Sequence, residues 1–227
     1  METGLSQPLA GHGGVAPVAR SLGERIDAIR EIATALRSRQ PAPRQERLCG
    51  IHNPWGQGAG LADAWPFLDL CEDARLLDQV EAALGADLIL WDSELHLRAE
   101  SYLQFVAQGR EGRYWPAEPL AGAVVVIAPE QDACRPACFA LDQVNAARLP
   151  PVASDEALYV IRYMPATSHF VRDARAPANW VAMEEQPLVN YATRPLWLVR
   201  GEDRAGNDFV TGFSPPVPRW AGGPKPT

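Results

Sequence analysis

Leu88-Ile89-Leu90-Trp91 begins the part of the chain that decides the fold. It is the first of five short runs rich in aliphatic, β-branched and aromatic residues, each bounded by turn-forming residues. The other four lie at 95–98, 123–127, 158–163 and 196–199. Helical patterns precede all five runs. This order predicts an α+β, mainly β fold, in which an antiparallel sheet or barrel is covered by N-terminal helices.

Three helices are expected upstream of the strands, over about residues 21–38, 61–72 and 74–84. The first begins with a capping-box pattern, Ser21 followed by Glu24, and its apolar residues recur at helical spacing. The third is followed by Gly85, a residue typical of helix ends. The second and third are expected to pack against the sheet.

The two ends of the chain differ from its middle. Residues 1–20 mix Gly, Pro and Ala without a period, and residues 214–227 are rich in Pro and Gly, which predicts a flexible arm and a loose tail. A chain of 227 residues with 47% apolar and 22% charged residues is large enough for one sizeable core. We therefore expect a single domain over residues 21–213.

Composition excludes several classes of function. A net charge of −7 gives no basic footprint, so no nucleic-acid partner is expected. No apolar run approaches the roughly 20 residues that span a bilayer, so no membrane partner is expected. Four cysteines are too few for a disulfide scaffold, and no signal-peptide pattern is present, which predicts a cytoplasmic protein with reduced thiols. The only lysine, Lys225, lies in the tail, which excludes a Schiff-base nucleophile within the domain.

Four strings share an order along the chain. They are Leu-Ile-Leu-Trp-Asp-Ser at 88–93, Gly-Arg-Glu-Gly-Arg-Tyr-Trp-Pro at 109–116, Ile-Arg-Tyr-Met-Pro at 161–165 and Arg-Pro-Leu-Trp-Leu-Val-Arg-Gly at 194–201. Over roughly residues 45–213 this pattern resembles the phytanoyl-CoA dioxygenase family of Fe(II)- and 2-oxoglutarate-dependent oxygenases. The resemblance implies a double-stranded β-helix, a jelly-roll or cupin-like barrel with its reaction centre inside the mouth. The stretch between the two ligand regions is shorter here than in the family, which predicts a truncated barrel.

The resemblance also implies where the metal ligands should lie, and this chain departs from that pattern. The family motif His-Gln-Asp-Gly-Arg-Tyr-Trp-Pro places the first histidine on Gly109 and the aspartate on Glu111. The arginine that holds 2-oxoglutarate falls on Glu156, whose negative charge would repel that co-substrate. No histidine occurs in residues 129–156. Since such enzymes need two histidines and a carboxylate on one face of iron, no metal and no cofactor are expected.

One alternative keeps the metal. A functional dioxygenase with displaced ligands would use Glu111 with His96 or His169, and would need both Fe(II) and 2-oxoglutarate. His96 alternates with leucines on a predicted strand, so its side chain points away from theirs. The opposing interpretation gives His96 a half-buried or surface position. It also places Glu111 in an exposed ion-pair cluster with Arg110 and Arg113.

The sequence supports three hypotheses about function. They differ on whether the protein is an enzyme, and the sequence leaves that question open. The leading one is a divergent family member that has lost oxygenase activity and acts as a binding protein for an anionic small molecule, or as a non-redox enzyme. The second is the dioxygenase with displaced ligands. The third is a non-catalytic interaction subunit, either a homo-oligomer or a partner of an intact homologue.

A ligand pocket is predicted around the altered motif. Arginines beside aromatic residues suit an anionic or carboxylate-bearing molecule, because the guanidinium pairs with carboxylates and the rings supply apolar area. The residues expected to line the pocket are Arg98, Arg110, Glu111, Tyr114, Trp115 and Arg162.

Overall fold

A computed structural model describes residues 20–39, 46–56, 60–113, 115–131, 134–173, 175–185 and 191–209. The predicted arm (except residue 20) and tail lie outside the described residues. The helices are α1 (Leu22–Ser38), α2 (Trp65–Cys71), α3 (Ala74–Leu84), α4 (Ala99–Ala107) and α5 (Pro177–Glu185). The strands are β1 (Arg47–Cys49), β2 (Leu88–His96), β3 (Ala117–Glu118), β4 (Ala123–Ile127), β5 (Ala137–Ala140), β6 (Leu158–Pro165), β7 (His169–Phe170) and β8 (Trp197–Arg200).

Six strands form one antiparallel sheet in the order β1-β2-β6-β4-β5, with β8 added beside β2. β8 pairs with the beginning of β2 and β1 pairs with its end. β3 and β7 form a separate two-stranded sheet. The predicted combination of helices with an antiparallel sheet is confirmed. Across the described residues, however, the strands do not close into a barrel.

Each face of the large sheet carries its own hydrophobic cluster. Because side chains alternate along a strand, Leu90 and Ile161 point to one face and Val160 to the other. The first face packs against α1, α2 and α3, and we call it the helix face. The second face is covered by α4 and by loops that carry large rings, and we call it the aromatic face. Its rings are Trp91, Tyr102, Phe105, Trp115, Phe170 and Tyr191.

The three predicted helices are present. Ser21 and Glu24 form the capping box at the start of α1, and α3 ends at Gly85 with φ 91°. The second helix begins only at residue 65 rather than near 61. Pro66 explains this start, since proline fits the first turn of a helix, where its missing N–H is not needed.

The prediction of two strands at 88–91 and 95–98 is wrong in one respect. β2 is a single strand over Leu88–His96, and it ends before Arg98, which occupies the N-cap position of α4 without a side-chain capping hydrogen bond. The polar residues Asp92, Ser93 and Glu94 indicated a turn from sequence. They continue the strand because all three are buried and paired with residues distant in sequence. Helices α4 and α5 and the strands β1, β3, β5 and β7 were not predicted.

The cysteines are free thiols in this fold. Cys71 is buried and the other three are half-buried. Burial raises the pKa of the Cys71 thiol, and it raises the pKa of Cys138 to about 11. Both thiols are therefore protonated at neutral pH. Within the described part of the chain, no helix is long and apolar enough to cross a membrane.

Candidate functional site

Arg162 lies on the aromatic face with no solvent exposure and is surrounded by carboxylates. Its Nη1 atom lies 3.0 Å from Oδ2 of Asp92 and 3.0 Å from Oε2 of Glu94. Its Nε and Nη2 atoms donate to Glu111 Oε1 at 2.6 Å and Oε2 at 3.2 Å. With two further arginines these residues form what we call the arginine–carboxylate cluster: Arg47, Asp92, Glu94, Glu111, Arg162 and Arg194.

A β-bulge places Asp92 in this cluster. The register between β2 and β6 shifts between Leu90 and Asp92, so Trp91 is the extra residue and Asp92 stands opposite Arg162. A bulge turns the following side chain onto a face that strict alternation would not give it. Trp91 and Asp92 therefore share the aromatic face although they are neighbours in sequence.

The two outer arginines balance the remaining charge. Arg47 on β1 pairs with Glu94, and Arg194 pairs with Asp92 while its Nε donates to the carbonyl of Trp91 at 2.9 Å. Three arginines thus face three carboxylates, and their formal charges cancel. Such a network is tolerated inside a protein only when every charge has a partner, because each buried ion has lost its hydration.

Burial and the arginines act in opposite directions on the carboxyl groups. Burial alone would raise the pKa of Glu94, but Arg162 and Arg47 hold that pKa well below its ordinary value. Burial raises the pKa of Asp92 against the lowering effect of Arg194. Of these two carboxyl groups, Glu94 is therefore the one that loses its proton at the lower pH.

Two histidines adjoin the cluster on opposite faces of the sheet. His96 Nε2 lies 3.3 Å from Glu94 Oε2, and its Nδ1 lies 2.7 Å from Ser101 Oγ. Burial lowers the pKa of His96 although Glu94 raises it. His52 Nδ1 lies 2.7 Å from Ser93 Oγ. Burial is the larger cause and the positive charge of Arg194 the smaller one that together lower the pKa of His52 to about 3. His52 is therefore neutral at neutral pH.

Glu111 is held in the way that proteins hold a bound carboxylate. Arg162 grips both of its oxygens in the two-pronged geometry that guanidinium groups form with carboxylates. The indole N–H of Trp115 donates to Oε1 at 3.4 Å. Burial, and then the charge of Glu111, raise the pKa of the Tyr102 phenol, so a neutral phenol adjoins the carboxylate.

The end of α4 directs Glu111 into this position. Gly109 has φ 64°, its N–H donates to Val106 O at 2.9 Å, and the N–H of Arg110 donates to Phe105 O at 3.2 Å. These two bonds form a Schellman motif, in which glycine ends a helix in the left-handed conformation. Gly109, the position that the resemblance gives to the first histidine, is thus a helix stop, after which the chain turns Glu111 inwards.

Trp115 reaches the cluster through space that a glycine leaves open. A Cβ atom placed on Gly122 would lie 1.8 Å from the Trp115 ring, so no larger residue fits without moving the indole. The ring packs edge-on against Trp91 at a centroid distance of 5.0 Å. This packing holds the indole N–H towards Glu111.

The structure brings together three of the six residues predicted to line a pocket, namely Glu111, Trp115 and Arg162. Glu111 is not part of an exposed ion-pair cluster with its neighbours, because its side chain is buried and its partner is Arg162 on β6. The sequence pattern could not show this pairing, because the two residues are 51 positions apart.

The other three predicted pocket residues do not join them. The Arg98 side chain is 58% exposed and pairs with Glu46 at 3.4 Å, because the strand ends before residue 98. Arg110 is half-buried and lies over the ring of Phe105. Tyr114 lies outside the described residues. That these residues line a ligand pocket stays a prediction.

Four cluster residues were missed: Arg47, Asp92, Glu94 and Arg194. One signal could have revealed two of them. Asp92, Glu94 and His96 alternate directly after an apolar run, which is the pattern of a strand with one polar face. No local signal indicates Arg47 or Arg194, since each meets β2 only through tertiary pairing.

The residues on this face do not fit an iron centre. Both oxygens of Glu111 are engaged by Arg162, and both nitrogens of His96 have partners. His169 is exposed on β7, where it pairs in register with Glu118. Among the residues that the structure describes, no three His, Cys, Asp or Glu side chains are grouped to hold a metal. A guanidinium group lies where the carboxylates converge.

Glu156, the position that the resemblance gives to the co-substrate arginine, lies in the turn before β6. Its Oε2 accepts from the backbone N–H of Ala153 at 3.1 Å, and its carbonyl accepts from the N–H of Ala99 at 2.7 Å. It therefore stabilises a turn, and neither bond involves the cluster.

Comparison with known proteins gives weak structural similarity and no match to a family or a curated protein. No model of a protein family and no curated protein matches the sequence. Among solved structures, CytC3 is similar to this chain at 14% identity and a TM-score of 0.44, over 84% of this chain and 85% of that one. A similarity at this level carries no argument about function.

Proposed function

We propose that this protein binds a small carboxylate-bearing molecule on the aromatic face of its sheet, and that it does so without Fe(II) or 2-oxoglutarate. One observation carries the proposal: a fully buried arginine grips a carboxylate at both oxygens, and that carboxylate comes from a loop rather than from the sheet. The site has the geometry needed for carboxylate recognition. The protein would be a divergent relative of phytanoyl-CoA dioxygenases, with a truncated double-stranded β-helix.

The surroundings of Arg162 support a ligand that is partly apolar. Trp115 and Tyr102 adjoin the gripped carboxylate, and Trp91 and Tyr191 lie behind them with their ring centroids 5.8 Å apart. Ligand sites in proteins commonly combine such rings with a few charged groups that fix orientation. A carboxylate attached to a flat apolar group matches this arrangement.

Two measurements on natively purified protein test the proposal. Metal analysis should find no stoichiometric iron, and saturation-transfer NMR should show saturable binding of benzoate but not of its neutral analogue benzamide. Stoichiometric Fe(II), together with a charge-transfer band on anaerobic addition of 2-oxoglutarate and formation of succinate, would instead establish the dioxygenase with displaced ligands.

A second candidate, the interaction subunit, is favoured by one exposed surface. Trp55 and Trp65 are 50% and 54% exposed and pack edge-on with their centroids 6.3 Å apart. Adjacent exposed rings of this size are typical of interaction surfaces. We take a second copy of the chain as the partner. Light scattering should then show a dimer that Trp65→Ala converts to a monomer. The control Trp180→Ala, at another exposed tryptophan, should leave the dimer intact.

A further inference from the structure

We propose that Glu111 is a built-in competitor of the ligand: the turn at residues 108–113 holds the Arg162 site closed, and a carboxylate ligand binds by displacing the Glu111 side chain. This inference rests on the proposed function and deepens it. It specifies the ligand as a carboxylate joined to a flat apolar group, which packs against the Trp115 and Tyr102 rings beside Glu111.

Burial distinguishes Glu111 from the rest of its turn. Glu111 is 3% exposed, whereas Gln108, Gly109, Gly112 and Arg113 around it are exposed and Arg110 is half-buried. Glu111 is therefore the fully buried side chain of this short surface turn. A movement confined to the turn would withdraw it without disturbing the sheet.

The turn around Glu111 is itself loosely packed. A Cβ atom placed on Gly109 or Gly112 would meet no atom within 4 Å, so the backbone on either side of Glu111 has open space beside it. The N–H of Arg113 donates to Arg110 O at 3.0 Å, which makes residues 110–113 a compact turn. Such a turn can move as a unit about the helix stop at Gly109.

Charge also favours an anion at this place. Withdrawal of Glu111 removes one of the three negative charges of the buried arginine–carboxylate cluster and takes from Arg162 the carboxylate that its Nε and Nη2 engage. Loss of a charged partner inside a protein is costly, so the open form favours an anion in the vacated position. A neutral ligand would not replace that negative charge. The two-pronged geometry selects a planar carboxylate.

Removing the competitor tests the proposal. Glu111→Ala should bind benzoate about tenfold more tightly than the wild type or better, because the wild type spends most of its time closed and its apparent affinity is reduced in proportion. Isothermal titration calorimetry gives both constants. The matched control is Glu100→Ala, which removes an exposed carboxylate from helix α4 and should bind benzoate as the wild type does. Benzamide should bind to none of the three.

A second variant and a second measurement guard against misfolding. Glu111→Gln keeps the shape of the side chain but offers Arg162 only one oxygen, so it should also tighten benzoate binding. In the wild type, benzoate should speed amide hydrogen exchange at residues 109–113, because the turn is released. Either result supports the proposal even if Glu111→Ala does not fold.

The outcomes separate this inference from the proposed function. Equal benzoate affinities of the wild type, Glu111→Ala and Glu111→Gln would overturn the competitor role and leave carboxylate binding standing. No binding to any of these proteins would overturn both proposals. Inorganic phosphate that binds Glu111→Ala as tightly as benzoate does would overturn the assignment of a carboxylate ligand.

Discussion

Gly109 ends helix α4 in a backbone conformation that residues with a side chain adopt at a cost. At φ 64° it supplies the C-terminal stop, and the N–H groups of Gly109 and Arg110 donate the two hydrogen bonds of the Schellman motif. Two positions later, Glu111 serves as the partner of an arginine. Gly109 and Glu111, on which the resemblance would place the first two metal ligands, therefore have a local and an electrostatic role in this fold.

Replacing Gly109 should reveal this local role. Gly109→Ala should lower the free energy of unfolding by about 1–2 kcal/mol, the usual cost of left-handed backbone for a residue with a Cβ. Urea denaturation measures the change. The control is Gly112→Ala in the same turn, where no positive φ is required and the space is open, and its effect should stay within about 0.5 kcal/mol. Equal losses in the two variants would argue against the Schellman stop.

His52 should make the protein sensitive to acid. Its pKa is lowered to about 3 in the folded protein, whereas an unfolded histidine has a pKa of about 6.5. Between these values the unfolded chain binds the proton and the folded chain does not, so stability falls as the pH falls. Because of this residue, the free energy of unfolding should fall by about 1.4 kcal/mol for each pH unit that the pH is lowered. His52→Gln should remove that part of the slope in denaturation curves between pH 6 and 4.

The matched control for this prediction is His169→Gln. His169 is exposed on β7 rather than buried, so this variant controls for the loss of a histidine as such. His96 is also buried with a lowered pKa, and it should keep part of the acid sensitivity in His52→Gln. A slope that is unchanged in His52→Gln would contradict the assignment of a neutral, buried imidazole.

At the scale of elements, strands β2 and β6 carry the charged site between them. The bulge at Trp91 gives β2 two neighbouring residues on one face, and the register then sets Asp92 against Arg162. The turn after α4 supplies the third carboxylate, Glu111. The cluster therefore joins the centre of the sheet to the loop that covers it.

Arg162→Met should destabilise the protein strongly. It leaves Asp92, Glu94 and Glu111 buried without their shared cation, and breaking such a network by removing one partner costs about 3–5 kcal/mol. Urea denaturation measures the loss. Adding Glu111→Gln to Arg162→Met should restore part of the loss, since Glu94 and Asp92 keep Arg47 and Arg194 as partners and the formal charges of the cluster then cancel again.

The control for Arg162→Met is an exposed ion pair. Arg204 lies 3.1 Å from Asp87 with its side chain 55% exposed, and ion pairs exposed to solvent contribute little to stability. Arg204→Met should therefore cost little. A loss from Arg162→Met no larger than that from Arg204→Met would contradict the structural role of the cluster.

At the scale of the whole molecule, one sheet separates two hydrophobic clusters. Helices α1 to α3 cover the helix face, and α4 with the aromatic rings covers the other. The central strands β2, β4 and β6 are buried on both faces. Opening any of these strands would expose both hydrophobic clusters together. The turn at 108–113, in contrast, can open without exposing either cluster.

Native-state hydrogen exchange should show this division. Amides of β2, β4 and β6 should exchange most slowly, through global unfolding, and those of residues 109–113 should exchange orders of magnitude faster through local opening. Mass spectrometry of peptides covering these segments provides the comparison. Exchange at 109–113 as slow as in β6 would show that the turn does not open independently.

Much of the architecture was predictable because its signals are local. The capping box and apolar period of α1, the glycine stop of α3 and the apolar runs of β4 and β6 can each be recognised within a few residues. Strand β2 was divided in the prediction because its polar centre resembles a turn. Arg98 was misplaced for the same reason.

The sequence by itself determined the helices at the N-terminal end, the strand-rich middle and which residues stand at positions 109 and 111. Only the tertiary structure decided what those residues do. Glu111 meets Arg162 across 51 positions and Arg194 meets Asp92 across 102. Charge is a property of a residue type, but its burial and its partner depend on strand register and on a bulge, which arise only when the whole sheet is assembled.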